Sequence, residues 1–142
     1  MKVQAMLVPY WPQQWGPQKI MADWAWNITT GSNETLVAVV DTGIYYYHED
    51  IGQNYAPLGY DWVNNDSDPQ DDHGHGTHCA GIIAAILDNY VGISGLAQVK
   101  VMAEKVLDSS GYEYADWVAN GIIHAAGNVL IISCAYDPTM GC

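Results

Sequence analysis

The chain has 142 residues, a length that suits one domain burying roughly two-thirds of its unfolded surface. Four Lys and Arg stand against 16 Asp and Glu, a formal charge of -12, so phosphate backbones and acidic lipid surfaces are both repelled and neither nucleic acid nor a membrane is an expected partner. No apolar run approaches the ~18 residues that a membrane span needs, and residues 1–8 are too short an apolar stretch for a signal peptide.

Residues 9–33 are rich in Trp, Pro and Gln, and the spacing predicts one short helix over 18–26, with Ile20, Met21, Trp24 and Trp26 as buried contacts. Residues 36–40 form a continuous, largely β-branched run between Gly31-Ser32-Asn33 and Thr42-Gly43. That pattern predicts a strand covered on both faces, as parallel sheets require. A second short strand is expected over 58–63. Residues 64–75 carry Asp66, Asp68, Asp71 and Asp72 with Pro69 and no apolar period, which predicts a loop. From 75 to 87 the residues are mostly Gly, Ala and Ile, the composition of a helix that packs closely and lies centrally. A glycine-rich turn over 89–95, a strand over 99–107, a helix over 112–126 and a last apolar run over 129–133 complete the order. Strands alternating with helices predict an α/β fold with a mainly parallel sheet and helices on both faces.

Two short segments carry the chemistry. Asp41 closes the apolar run Leu36-Val37-Ala38-Val39-Val40, at the C-terminal sheet edge where open α/β sheets place their sites; it could equally cap the turn at Thr42-Gly43. His75 stands in His73-Gly74-His75-Gly76-Thr77-His78-Cys79-Ala80-Gly81, where Gly74 and Gly76 let the backbone approach so that one imidazole can face Asp41. The pair makes two-thirds of an Asp-His-Ser triad. Two other readings stand beside it. Asp-Thr-Gly occurs once, whereas an aspartic protease needs two such carboxylates sharing a proton. The spacing of His73, His75 and His78 could hold zinc with His124 as a distant fourth ligand, although a tight helix through His78 favours a packed histidine there. Cys79, Cys134 and Cys142 are too few for a disulfide framework, and a bridge between Cys134 and Cys142 would leave one thiol over.

Val40-Asp41-Thr42-Gly43-Ile44 and His75-Gly76-Thr77-His78-Cys79-Ala80-Gly81 resemble the Asp and His signatures of subtilisin-like serine proteases, most closely the thermitase-like branch, in which the triad runs Asp, His, Ser. Pro9-Tyr10, Gly16-Pro17-Gln18-Lys19-Ile20, Val106-Leu107-Asp108-Ser109-Ser110-Gly111 and Ala119-Asn120-Gly121-Ile122 resemble segments of that family in the same order. The resemblance implies a partial subtilisin-like fold, with His75 as general base and Asp41 holding its other ring nitrogen. Ser109, Ser110 and Gly111 would pair with the substrate backbone as an extra strand, and Cys79 would match the thiol of the thermitase and proteinase K branches. Calcium is the implied cofactor. One site would use Asp61, Asp66, Asp68 and Gln70; a second would use Asp50, Asn89 and the carbonyls of Ile86, Val91 and Ile93, with Val8 standing where an acid is expected.

The likeness is clear to residue 126, so residues 1–126 are read as the N-terminal part of a peptidase domain and 127–142 as a divergent or truncated tail. The Ser-Leu-Gly wall of the specificity pocket, the oxyanion Asn and the nucleophile segment are not found, and none of Ser109, Ser110 and Ser133 has the nucleophile's context. The expectation is a chain whose C-terminal part is missing and which is inert alone, because two triad members cannot form an acyl-enzyme. A calcium-binding pseudoenzyme and, less favoured, a zinc hydrolase are the alternatives. Protein or peptide substrates for the full-length form, a folding propeptide and secretion to the exterior are further implications of the resemblance.

Overall fold

The computed structural model describes residues 7–135; Cys142 and the rest of the expected tail beyond 135 lie outside them. Four strands form one sheet: β1 (Leu36–Asp41), β2 (Tyr60–Asp61), β3 (Lys100–Lys105) and β4 (Ile131–Cys134), in the spatial order β2-β3-β1-β4. Every pairing is parallel, with Val39 opposite both Ala103 and Ser133 and Asp41 opposite Lys105. The strands therefore end together, and their C-terminal edge collects Asp41, Asp61 and Lys105.

Alternation along β1 explains why its residues are so uniformly apolar. Val37 and Val39 point into a cluster with Ile44, Ile51, Val101 and Ala103, closed by Ala80 and Ala84 of α3 (His75–Ala84). Ala38 and Val40 point the other way, into a cluster with Met102 and Val106 closed by Ala125 of α4 (Ala115–Ala126). A helix on each face leaves no polar side for the strand, as expected of a parallel sheet. The fold is the α/β arrangement anticipated, and β4 carries it past residue 127.

Three expectations need correction. The single helix over 18–26 is two short ones, α1 (Trp15–Lys19) and α2 (Ala22–Ala25), separated at Met21, whose φ of 56° cannot continue a right-handed helix. With only a turn on either side of the break, just Ala22 and Trp26, four residues apart, share the inward face. Trp26 is buried and its indole donates to the Leu96 carbonyl at 2.9 Å, while Ile20, Met21 and Trp24 are exposed. The strand over 58–63 shrinks to Tyr60–Asp61, because Asp61 pairs back onto Asp66 and the chain turns away. The central helix stops at Ala84, where Ala85 opens to ψ 145°.

Candidate active site

Asp41 ends β1 with its side chain 1% exposed, and His75 opens α3 with its side chain 49% exposed. The imidazole Nδ1 lies 2.9 Å from each carboxylate oxygen of Asp41, and the Thr42 N–H donates to Asp41 Oδ1 at 2.7 Å. An ionised carboxylate can only accept, so Nδ1 carries the proton and Nε2 keeps a lone pair for chemistry. A buried acid behind a solvent-facing imidazole is the arrangement of a general base with its orienting partner.

The close approach depends on backbone. Gly74 precedes α3 with φ 103° and Gly43 follows β1 with φ 106°, conformations that favour glycine. A Cβ at Gly76 would fall 2.1 Å from the Gly43 carbonyl oxygen and 3.2 Å from the Asp41 Cβ, so only glycine brings α3 near enough to β1.

One turn along α3, the Cys79 sulfur lies 3.9 Å from His75 Nδ1 and 4.0 Å from Nε2. Burial, reinforced by the negative charge of Asp41, pushes this thiol up to about 11, so it stays protonated at neutral pH. Asp41, His75 and Cys79 are the three-ligand grouping found among the described residues. His73 and His78 are not in it: the His73 ring stands edge-on to His75 with centroids 6.5 Å apart, and His78 is exposed. His124 is engaged elsewhere. Its Nδ1 meets Glu104 Oε1 at 2.6 Å while the Trp62 indole donates to Glu104 Oε2 at 2.8 Å. Burial pushes Glu104 above the usual carboxylate range, and those two donors work against the shift.

Ser109 and Ser110, both exposed, and half-buried Gly111 form the tip of a turn after β3. The Asp108 carboxylate accepts from the Ser110 and Tyr112 N–H groups at 2.8 and 3.0 Å, and Gly111 takes φ 79°. A Cβ on Gly111 would lie 3.6 Å from His73 Nε2, which places this tip beside the His73–His75 segment.

The two groups of candidate calcium ligands differ. Asp61 and Asp66 pair in a single isolated antiparallel bridge, so their side chains leave the same face of the loop. Asp61 Oδ1 accepts from the Val63 and Asn64 N–H groups at 2.8 Å each and Oδ2 from the Asn64 amide at 2.9 Å. Asp66 Oδ1 accepts from the Asp68 N–H at 2.8 Å, and Asp68 Oδ1 accepts the Tyr46 hydroxyl, which raises the phenol's pKa. Carboxylates and the Gln70 amide are hard-oxygen donors of the kind calcium takes, but Asp61 already accepts N–H groups on both oxygens, and Asp61, Asp66 and Asp68 do not converge as a ligand grouping among the described residues. The second group does not fit. Both oxygens of Asp50 already face N–H donors, Asn89 Nδ2 at 2.7 Å and the Ile93 N–H at 2.9 Å, and Val8 supplies no oxygen in its side chain.

Two groups that sequence reading passed over hold the site together. Lys105, 1% exposed, donates to the Thr42 carbonyl at 2.8 Å, the Leu107 carbonyl at 3.0 Å and Asp72 Oδ1 at 2.6 Å. Asp71 accepts from the loop and from the first turn of α3. Its position four residues before His75, ahead of a helix start, is the one signal that marked it.

The sequence matches the model of the Subtilase family over residues 32–138. It is 46% identical over 136 residues to thermitase of Thermoactinomyces vulgaris, covering 94% of this chain and 48% of thermitase. It is 43% identical over 118 residues to a thermophilic serine proteinase of Bacillus sp. (strain AK1), covering 82% of this chain and 29% of that protein. The crystal structure of a cold adapted subtilisin-like serine proteinase superposes with TM-score 0.58 at 34% identity, over 67% of this chain and 33% of that one. The chain thus spans about half the length of thermitase and less of the other two.

Proposed function

Since the chain belongs to the subtilase family, we propose that it carries two of the three catalytic groups of a serine endopeptidase, with Asp41 and His75 in those roles and protein or peptide chains as substrates. The observation that carries this reading is the contact between His75 Nδ1 and both oxygens of the buried Asp41 at 2.9 Å. His75 Nε2 accepts the proton of the attacking hydroxyl and later returns it to the leaving amine. Asp41 holds the tautomer and stabilises the imidazolium between those two steps. The turn at Ser109, Ser110 and Gly111 would align the substrate backbone beside His73 and His75.

The nucleophile has no candidate in these 142 residues, so this stretch alone forms no acyl-enzyme. A fluorophosphonate probe tests this directly. Incubated with the purified chain, it should leave the mass unchanged, whereas one covalent adduct on a serine would overturn the assignment of the missing group. Calcium enters as a structural ligand of the 61–70 loop, held by Asp61, Asp66, Asp68 and Gln70, and supplies cross-linking rather than chemistry. Secretion belongs to the same reading, through the family.

A further inference from the structure

Asp71 accepts more hydrogen bonds than any other carboxylate among the described residues, and its partners flank both members of the dyad. Oδ1 accepts from the Thr42 hydroxyl at 2.8 Å, the His73 N–H at 3.0 Å and the Gly74 N–H at 2.8 Å. Oδ2 accepts from the Thr77 N–H at 2.9 Å and from the Thr77 hydroxyl. Thr42 is the residue after Asp41, and its Oγ1 in turn accepts the Gly76 N–H at 2.9 Å. Thr77 Oγ1 accepts the Tyr45 N–H at 2.9 Å. One carboxylate is therefore tied to the chain just after the acid and to the chain on both sides of the base.

Resting on the dyad reading above, we infer that Asp71 is the positioning residue that sets the His75 ring against Asp41. His75 is half exposed and its ring meets Asp41 and the Cys79 sulfur, so the place of the backbone that carries it sets how the ring lies against Asp41. Hydrogen bonds weaken steeply as distance and angle depart from the optimum, and a small displacement of a catalytic group is costly to rate. A negative charge at the start of α3 is also favoured by the helix dipole. Burial of Asp71 acts to raise its pKa, but the donors from Gly74, Thr77 and His73 outweigh it and hold the carboxyl below its ordinary range.

The test reads the dyad itself. Proton NMR of the chain in water should show a downfield, slowly exchanging Nδ1–H of His75, assigned by its disappearance in His75→Gln. Asp71→Ala should abolish that resonance or speed its exchange with solvent at least tenfold, and Asp71→Asn, which keeps one acceptor oxygen, should lose less. Val99→Ala, a core truncation away from the dyad, should lower the melting midpoint and leave the resonance alone. An Asp71→Ala chain that melts earlier but keeps the resonance at unchanged exchange reduces Asp71 to a helix cap and overturns the inference. Should Asp71→Ala not fold, Asp71→Asn and Thr77→Val each remove part of the same set and decide the question in the same way. A native chain with no such resonance removes the dyad reading and this inference together, whereas a resonance indifferent to Asp71 removes only the inference.

Discussion

At the scale of single residues, buried charge here is held by donors matched to it. Asp41 has His75 and the Thr42 N–H; Lys105 has three acceptors; Glu104 has Trp62 and His124; Asp71 has the loop and α3. For Asp71 the hydrogen bonds to the charged form outweigh the cost of leaving water, whereas for Glu104 burial prevails over its two donors. Asp71 makes the pH consequence explicit. Its folded pKa lies below its unfolded value, so its contribution is present above about pH 4, the ordinary carboxylate range, and is lost as pH falls through the folded value. Asp71→Asn should therefore cost about 1–2 kcal/mol near neutral pH, a magnitude discounted for its partial exposure. The difference from the native chain should shrink toward zero in acid; chemical denaturation across that range measures it.

At the scale of elements, the decisive contact is α3 against β1. Helix α3 reaches the strand end only because Gly76 has no side chain, its missing Cβ lying against the Gly43 carbonyl. Backbone cannot move aside as a flexible side chain can, so Gly76→Ala should destabilise by about 3 kcal/mol through overpacking. It should also separate His75 from Asp41, which a melting curve and the His75 Nδ1–H signal would read together. An unchanged melting midpoint would mean that α3 rides over the methyl without strain. Among the described residues β4 pairs with β1 on one side only, and Ile131 within it and Leu130 just before it are exposed, the features of a strand edge that another strand can join.

For the whole molecule, a charge of -12 is borne by a chain with four Lys and Arg, so most carboxylates have no basic side chain to pair with. The 61–70 loop is the densest case, and a divalent cation would relieve it. Adding calcium should raise the melting midpoint by several degrees, chelation should reverse it, and Asp66→Asn should blunt the response. No shift on calcium addition would mean that the N–H groups around Asp61 already satisfy the loop.

The strands, the central helix and the pair Asp41 and His75 were readable from the chain because each is encoded by contiguous residues. A β-branched apolar run of strand length between turn residues reads as a covered strand, and glycines flanking an imidazole announce close approach. The break at Met21 was not readable, since exposure of Ile20 and Trp24 depends on which face the neighbouring chain covers. Nor was the placing of His124 against Glu104, twenty residues apart, on the sheet face opposite α3 and in no ligand grouping among the described residues. Asp71 looked like one more acid in a loop. Local pattern determines which residues can form an element and which chemistry they bring; three-dimensional packing alone decides which distant donors converge on a given charge, and so which acid anchors the site.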